Sequence, residues 1–530
     1  MGSDVQATEL DALREERDRV AHERDRYKEL YVATLEQCKK LERGILASRK
    51  SERLGESEFQ LTFAVLGTVL AAHAPEPEKA LDSSPSTSER RSPKKRRKPT
   101  GRKPLSESLP RVDIEVIPED VQREGLDAFE RIGEDVSEVV ERRPSSLVVV
   151  RTIRPKFVRK GRERNAPTQV AIALPPELPI DRGLAGPGLL ADTVVRRWQD
   201  HLPLNRLEQI YAREGLALAR STICGWHREL AELVERVVAA MWLDARGSPY
   251  LCTDATGVLV QAKERCRKGH FFVVVAPDRH VLFAYSPNHD SAAVDVLFEG
   301  YAGYLVADAH AVYDHLYVDG TRLEVGCWAH TRRYFFKALS SEPELSREAL
   351  ALIGRLFEIE REEADTSARK RKQVRAEKSK PVVDAFFAWC DAKRDDVLDE
   401  TPISKGIGYA INQKLALQRF LEDGRLPLHN NGSELQLRRQ AVGRKSWLFV
   451  GSDQGGEVNA TFVSLLASAQ MHQIEPWAYL RDLLCLLPGW PASRALELAP
   501  AYWKQTLEQQ DTQQRLANNP FRQILVADRV

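Results

Sequence analysis

The sequence predicts a multidomain α/β protein with an N-terminal coiled coil, a helical nucleic-acid-binding region, and an α/β core divided by a helical insertion. Three observations predict it. The chain has 530 residues, whereas single hydrophobic cores stop growing near about 250–300 residues. Residues 9–50 are dense in Glu, Arg and Lys and carry a seven-residue repeat. Between 247 and 340, short apolar or β-branched runs alternate with polar turns before helix-period sequence takes over. That is the pattern of a sheet with covering helices.

Composition narrows the partners. The formal net charge is only +1, so local charge must identify what the chain binds. Seven cysteines are scattered with no CxxC pair, which fits a reducing compartment rather than a disulfide framework. The opening residues are charged and lack an apolar signal region. The longest apolar run, 61–72, is too short to span a bilayer. A cytoplasmic protein with no membrane partner is expected.

Taken in order, residues 1–75 form the helical region. Leu13, Val20, Tyr27, Thr34 and Leu41 recur every seven residues, and a companion seam through Leu10, Tyr31, Cys38 and Ile45 is interrupted by Arg17 and Arg24. This repeat favours a coiled coil joining copies of the chain into a homo-oligomer; one solvated helix packed on its own domain is the alternative. Residues 76–110 turn to Pro, Ser and charge, and nine of the fourteen residues from 90 to 103 are Lys or Arg. Such a segment cannot bury a core and is expected to be disordered when free. Arg96, Arg97 and Lys98 suit DNA phosphates, adding affinity without reading bases; a plain linker is the alternative.

Residues 111–182 hold branched runs at 146–153 and 168–173, bounded by prolines, and read as a small β-rich module without cysteine. Residues 183–246 read as helical. Within them, helices at 204–211 and from 219 flank a turn containing Gly215, a helix-turn-helix pattern. Arg220, Ser221 and Thr222 then open the second helix, where base edges or phosphates are met. An ordinary helical bundle produces the same spacing.

Residues 247–340 begin the core, with strands at 250–260, 270–276 and 281–286, a helix at 292–298, and a strand at 304–307 delivering Asp308. A carboxylate just past a buried strand is solvent-reachable yet rigidly held. Residues 325–330 read as a further strand ending at His330, feeding a helix with Arg332 and Arg333. An acid, a histidine and a basic helix in so short a span suggest phosphate chemistry on nucleic acid. Asp254 on the first strand and Asp308 after the fourth match a ribonuclease-H-like sheet. Residues 341–424 are a helical insertion with a charged helix at 358–380. Residues 425–475 return to the core: Asn431 or Ser433 is expected to cap a helix with Glu434 in its first turn. Residues 476–530 form a helical tail.

Four segments carry a resemblance: GCWAHTRR at 326–333, HNNGSE at 429–434, GRKSWLFVGSDQG at 443–455 and EPWAYLRD at 475–482. Together they resemble the large transposase subunit of the insertion sequence 66 family of bacterial Asp/Asp/Glu transposases. The resemblance implies cleavage at the ends of a mobile element and transfer of the freed 3′-hydroxyl into target DNA. It also implies accessory proteins encoded by the same element. Three positions depart from the family pattern. The usual zinc module has no cysteine in its windows here, so no zinc is expected. Ala255 stands where a glutamate is usual, and His429 where an aspartate is usual.

The chemistry implied is two-metal phosphodiester cleavage, in which paired Mg²⁺ ions activate the attacking oxygen and stabilise the leaving one. Mg²⁺ prefers carboxylate and water oxygens, and Mn²⁺ is expected to substitute. Asp254 is assigned as bridging ligand, with Asp308 and Glu434 each on one metal and His330 supporting the site. Arg438, Arg439, Arg444 and Lys445, with Arg332 and Arg333, suit clamping of the cleaved strand. Two other readings stay open: a nuclease without strand transfer, and a non-catalytic DNA-binding descendant of a transposase.

Overall fold

The computed structural model describes residues 105–526 apart from 106, 108, 144–145, 161–169 and 182. The expected coiled coil at 9–50 and the arm bearing Arg96, Arg97 and Lys98 lie outside the described residues. Most of what is described belongs to one unit, 95–334 with 348–530. Residues 335–347, grouped separately, carry the end of one helix and the start of the next.

The first sheet contains β1 (Arg111–Glu115), β2 (Phe129–Arg143), β3 (Ser146–Arg159) and β4 (Val170–Ile172), ordered β1-β3-β2 with β4 also on β3. The branched run 147–150 is fully covered, and Val139, Val148 and Val150 pack with Phe521 and Ile524 of the C-terminal tail. Glu141 on β2 is wholly buried, and burial pushes its carboxyl up to about 8. Its Oε1 accepts from the backbone N–H groups of Arg142 (2.7 Å) and Leu189 (2.8 Å). Leu189 lies in the first turn of α1 (Pro187–Trp198), where free N–H groups favour an anion. A Cβ on Gly188 would stand 2.4 Å from both Glu141 Oε1 and the Arg142 carbonyl, so only glycine lets helix and carboxylate meet.

After α2 (Leu204–Arg213), α3 (Arg220–Ala245) buries Ile223, Leu230, Val234, Val237 and Met241 along one face. With buried Trp226 between the first two, these residues follow one another at three- and four-residue steps, those of a helix stripe facing a core.

The second sheet is built from β5 (Tyr250–Val260), β6 (Arg267–Ala276), β7 (His280–Ser286), β8 (Gly303–Val306) and β9 (Arg322–Val325), with α4 (Ser291–Phe298) between β7 and β8. Its order is β7-β6-β5-β8-β9. The first three strands are antiparallel, and β8 and β9 run parallel to β5. Phe271 to Val274 on β6 are all buried, as a strand covered on both faces requires.

Trp328 begins α5 (Trp328–Ala338), so the expected strand at 325–330 is corrected to a strand end followed by a helix. The apolar run there is buried by distant chain rather than by strand pairing. Trp328 Nε1 donates to the Leu417 carbonyl (2.9 Å) and its backbone N to that of Leu428 (3.1 Å).

The insertion contains α6 (Pro343–Glu362), α7 (Ala368–Val374), α8 (Lys380–Lys393) and α9 (Pro402–Asn412). The expected single helix at 358–380 is interrupted, because Ser367 caps α7 by accepting from the Lys370 backbone N (3.3 Å). Arg375, in the π-helical turn between α7 and α8, is 1% exposed. It grips both oxygens of Glu360 (2.7 and 2.6 Å) and the carbonyls of Phe420, Asp423 and Leu426.

The chain returns through α10 (Asn431–Trp447), α11 (Asp453–Met471) and α12 (Pro476–Leu486). On α11, Ser464 and Ser468 accept from the backbone N–H groups of Phe283 (2.7 Å) and Val281 (3.0 Å), and their hydroxyls donate to the same residues' carbonyls. Two serines one turn apart thus stand in for a missing neighbour strand along β7, an edge that would otherwise be left open. Among the described residues no helix is long and apolar enough to cross a membrane.

Candidate active site

The three acids arrive on three elements. Cys252 pairs with Val306 across parallel β5 and β8, and Asp254 and Asp308 each follow that pair by two residues. They therefore lie level on neighbouring chains, which in a sheet run roughly 4.8 Å apart. Ala309 turns the backbone behind Asp308 at φ 58, a conformation that a non-glycine residue holds only when its surroundings impose it. Asp308 Oδ1 accepts from the His310 backbone N (3.3 Å).

Glu434 sits in the first turn of α10. Asn430, not Asn431 or Ser433, occupies the cap position, and its side chain makes no capping bond. It is committed elsewhere. Wholly buried, its Nδ2 donates to the Thr253 carbonyl (2.7 Å) while Oδ1 accepts from Ser433 Oγ (2.6 Å). Asn430 therefore ties the start of α10 to β5 one residue before Asp254. Cys327 is buried alongside, its Sγ accepting from the Asn430 backbone N (3.2 Å).

The electrostatics centre on Asp254. Burial raises its carboxyl from 3.8 to about 7, with Asp308 and Glu434 adding to the rise and the Ala255 N–H and Arg333 opposing it. A raised acid beside two others marks an uncompensated negative centre. His330 Nε2 lies 3.6 Å, and Arg333 Nη2 3.5 Å, from Glu434 Oε1. Burial and the Arg333 charge lower the His330 pKa, and its buried Nδ1 has no partner. Among the described residues, no three His, Cys, Asp or Glu side chains form a ready-made metal cage. The donor chemistry nevertheless fits a hard divalent cation: oxygen ligands only, with half-buried Asp254 short of counter-charge.

The basic residues divide. Arg438 and Lys445 are exposed on α10, and Arg332 is half-buried on α5. Arg439 is instead engaged by Gln436, Gln199 and Gln470, and Arg444 donates to Thr256 Oγ1 (3.0 Å) and the Gly257 carbonyl (2.6 Å). Arg220 pairs with Glu208 (3.1 Å), and Ser221 and Thr222 are exposed beside it. His429 stacks on Phe357 (5.8 Å between centroids, 12° between planes), its Nδ1 accepting from the Asn431 backbone N (3.3 Å).

Sequence reasoning missed a histidine cluster. His289 stacks with His270 (4.9 Å) and meets His310 edge-on (4.7 Å). Only the position of His310, two residues after Asp308, hinted at it.

Residues 182–458, more than half the chain and spanning all three acids, match the family model described as Transposase IS66 family. The chain belongs to the IS66 transposase family. Residues 36–114 match a second model, described as Transposase C of IS166 homeodomain. Three Sinorhizobium fredii relatives, the uncharacterized proteins y4hP, y4qI and y4jD, are 28%, 29% and 29% identical. The matches cover 73%, 78% and 76% of this chain and 76%, 79% and 81% of the relatives. Family membership makes this IS66 chain a DNA-acting transposase.

Proposed function

We propose that the chain cuts DNA at the ends of a mobile element and joins the freed 3′-hydroxyl to target DNA, using Asp254, Asp308 and Glu434 on a ribonuclease-H-like sheet. The observation that carries this reading is that β5 and β8 run side by side so that Asp254 and Asp308 lie level, while Asn430 ties the helix bearing Glu434 to β5; in keeping with this, burial and the other two acids push the Asp254 carboxyl up to about 7. The sheet supports it as well: an antiparallel three-strand meander whose first strand is extended by two parallel strands, with Asp254 on the first strand and Asp308 just past the fourth.

Asp254, Asp308 and Glu434 would hold Mg²⁺ or Mn²⁺; bound there, the metal supplies activation of the attacking oxygen and charge neutralisation at phosphorus. The chain's own groups do the remaining work. Asn430 keeps α10 registered to β5, so Glu434 and Asp254 hold their spacing as DNA enters. Arg333 and His330 steady the Glu434 carboxylate, and Arg333 is exposed enough to meet a phosphate oxygen. Arg438 and Lys445 offer further phosphate contacts along α10. The arm through Arg96, Arg97 and Lys98 adds sequence-independent affinity. Copies of the chain are proposed to assemble through residues 9–50, with accessory proteins of the same element as further partners.

The test is divalent-metal-dependent nicking and strand transfer on element-end DNA by wild type, Asp254→Ala and Asp308→Ala. Both variants should bind DNA as before and fail to cut even with Mn²⁺. Cutting by Asp308→Ala would place the chemistry elsewhere. Nicking without joining would favour a plain nuclease.

A further inference from the structure

The end of α10 presents side chains that the acid centre does not use. Along this helix, Leu435 (58%) and Val442 (50%) are exposed, and beyond its last turn so are Leu448 (65%) and Phe449 (40%). Arg438 and Lys445 are exposed between them. At spacings of three, four and three residues, Leu435, Arg438, Val442 and Lys445 share one face of the helix, and Leu448 and Phe449 follow just past its end. Apolar and cationic groups thus alternate where solvent alone would favour polar ones.

The tip of this face is held under strain. The Leu448 backbone has φ 64 and ψ −48, and the Phe449 N–H donates to the Trp447 carbonyl (2.8 Å). This is the rare form of γ-turn, unfavourable for a side-chain-bearing residue. Anchors on both sides impose it. Trp447 turns inward, with the Arg197 guanidinium over its ring at 5.7 Å and its Nε1 in the space a Cβ on Gly443 would need. Val450 is fixed to β5, its N–H donating to the Leu259 carbonyl (2.8 Å) and its carbonyl accepting from the Gln261 N–H (2.8 Å). Leu448 and Phe449 are forced outward between these anchors. Strain kept up to expose two large apolar side chains marks a functional position.

We infer that Leu448 and Phe449 form an apolar wedge that enters the base stack of bound DNA, while Arg438 and Lys445 hold its phosphates. The inference rests on the DNA-acting reading above and adds what this motif does there. Charge complementarity selects the occupant: the cations flanking the wedge suit a polyanion whose interior is apolar and stacked. Glu434 and Trp447 stand on the same helix, thirteen residues apart, or about 20 Å at 1.5 Å per residue. A duplex running along this helix, at 3.4 Å per base step, would be unstacked about six base pairs from the acids.

The test uses the full chain and two labelled duplexes of equal length, one plain and one with a central bulge that pre-unstacks its bases, read by fluorescence anisotropy across a salt series. Wild type should bind the bulged duplex about tenfold more tightly, the scale of one lost stacking contact. Leu448→Ala/Phe449→Ala should keep plain-duplex affinity and salt slope but lose the preference. Leu448→Gly relieves the positive φ, so its Tm should hold or rise while the preference shrinks. Arg438→Ala/Lys445→Ala should weaken both duplexes equally and flatten the slope. A preference that survives in Leu448→Ala/Phe449→Ala overturns the wedge while leaving the nicking result untouched. A change in that variant's sedimentation, with duplex preference unchanged, shows a protein interface and overturns it too. Absence of any plain-duplex binding by wild type would overturn the DNA reading itself.

Discussion

Two regions of the molecule bury charge, and they treat it in opposite ways. In the insertion, Arg375 is saturated: a bidentate carboxylate and three carbonyls meet its guanidinium. On the second sheet, Asp254 is half-buried beside two more acids and is opposed chiefly by one N–H and Arg333. A satisfied buried charge holds structure together. A buried charge left short of counter-charge costs stability, and it is kept where a ligand supplies what is missing.

The largest effect expected is on Asp254→Asn, which should lower nicking by about 10³-fold or more, the scale of removing a key charge-stabilising group. In metal-free buffer above pH 7, the same change should raise Tm, because it removes the uncompensated charge. A variant that is inactive and also unstable would break the contrast. Arg375→Met should do the reverse, costing about 3–5 kcal/mol of stability by stranding Glu360, read from the denaturant midpoint. Nicking by the fraction still folded should be unchanged.

pH sharpens the same comparison. The folded-state value of Asp254, about 7, lies above its ordinary 3.8. Between these values the folded protein holds a proton that the unfolded chain has released, so metal-free stability falls as pH rises from about 4 to about 7. Mg²⁺ should restore Tm at the upper end for wild type and not for Asp254→Asn. Glu141 titrates in the same direction, with its loss extending to about pH 8. Glu141→Gln should change stability at neutral pH by only about 1 kcal/mol, since Oε2 has no partner to lose, and should flatten that upper range without affecting the Mg²⁺ response. The smallest effect is on the arm: alanines at Arg96, Arg97 and Lys98 should flatten the salt slope of DNA affinity by up to about 2–3 units, leaving cleavage at saturating DNA unaltered.

Much of the sheet was legible because burial on both faces writes itself as continuous apolar runs. The 250–260 strand, the β6 run and the position of Asp308 all follow from that. The strand expected at 325–330 failed for a non-local reason: Trp328 is buried by Leu417 and Leu428, some ninety residues or more away in sequence. The cap of α10 was misplaced because Asn430 spends its amide on Thr253, a partner no local pattern reveals. Arg439 and Arg444 looked like free cations, yet their glutamine and carbonyl partners come from other elements. The histidine cluster and the γ-turn at Leu448 depend on rings and dihedrals that composition does not encode.

The place where the chain leaves the core and the place where it returns are pinned side by side. The Trp328 N–H bonds the Leu428 carbonyl, and the Asn430 N–H bonds Cys327 Sγ. The intervening excursion is therefore a closed loop whose ends meet whatever its contents. Closure entropy grows only logarithmically, by about 0.6 kcal/mol for each doubling of loop length. Evolution can lengthen, trim or replace that helical cassette, and graft new surfaces for partners onto it, while Glu434 stays opposite Asp254.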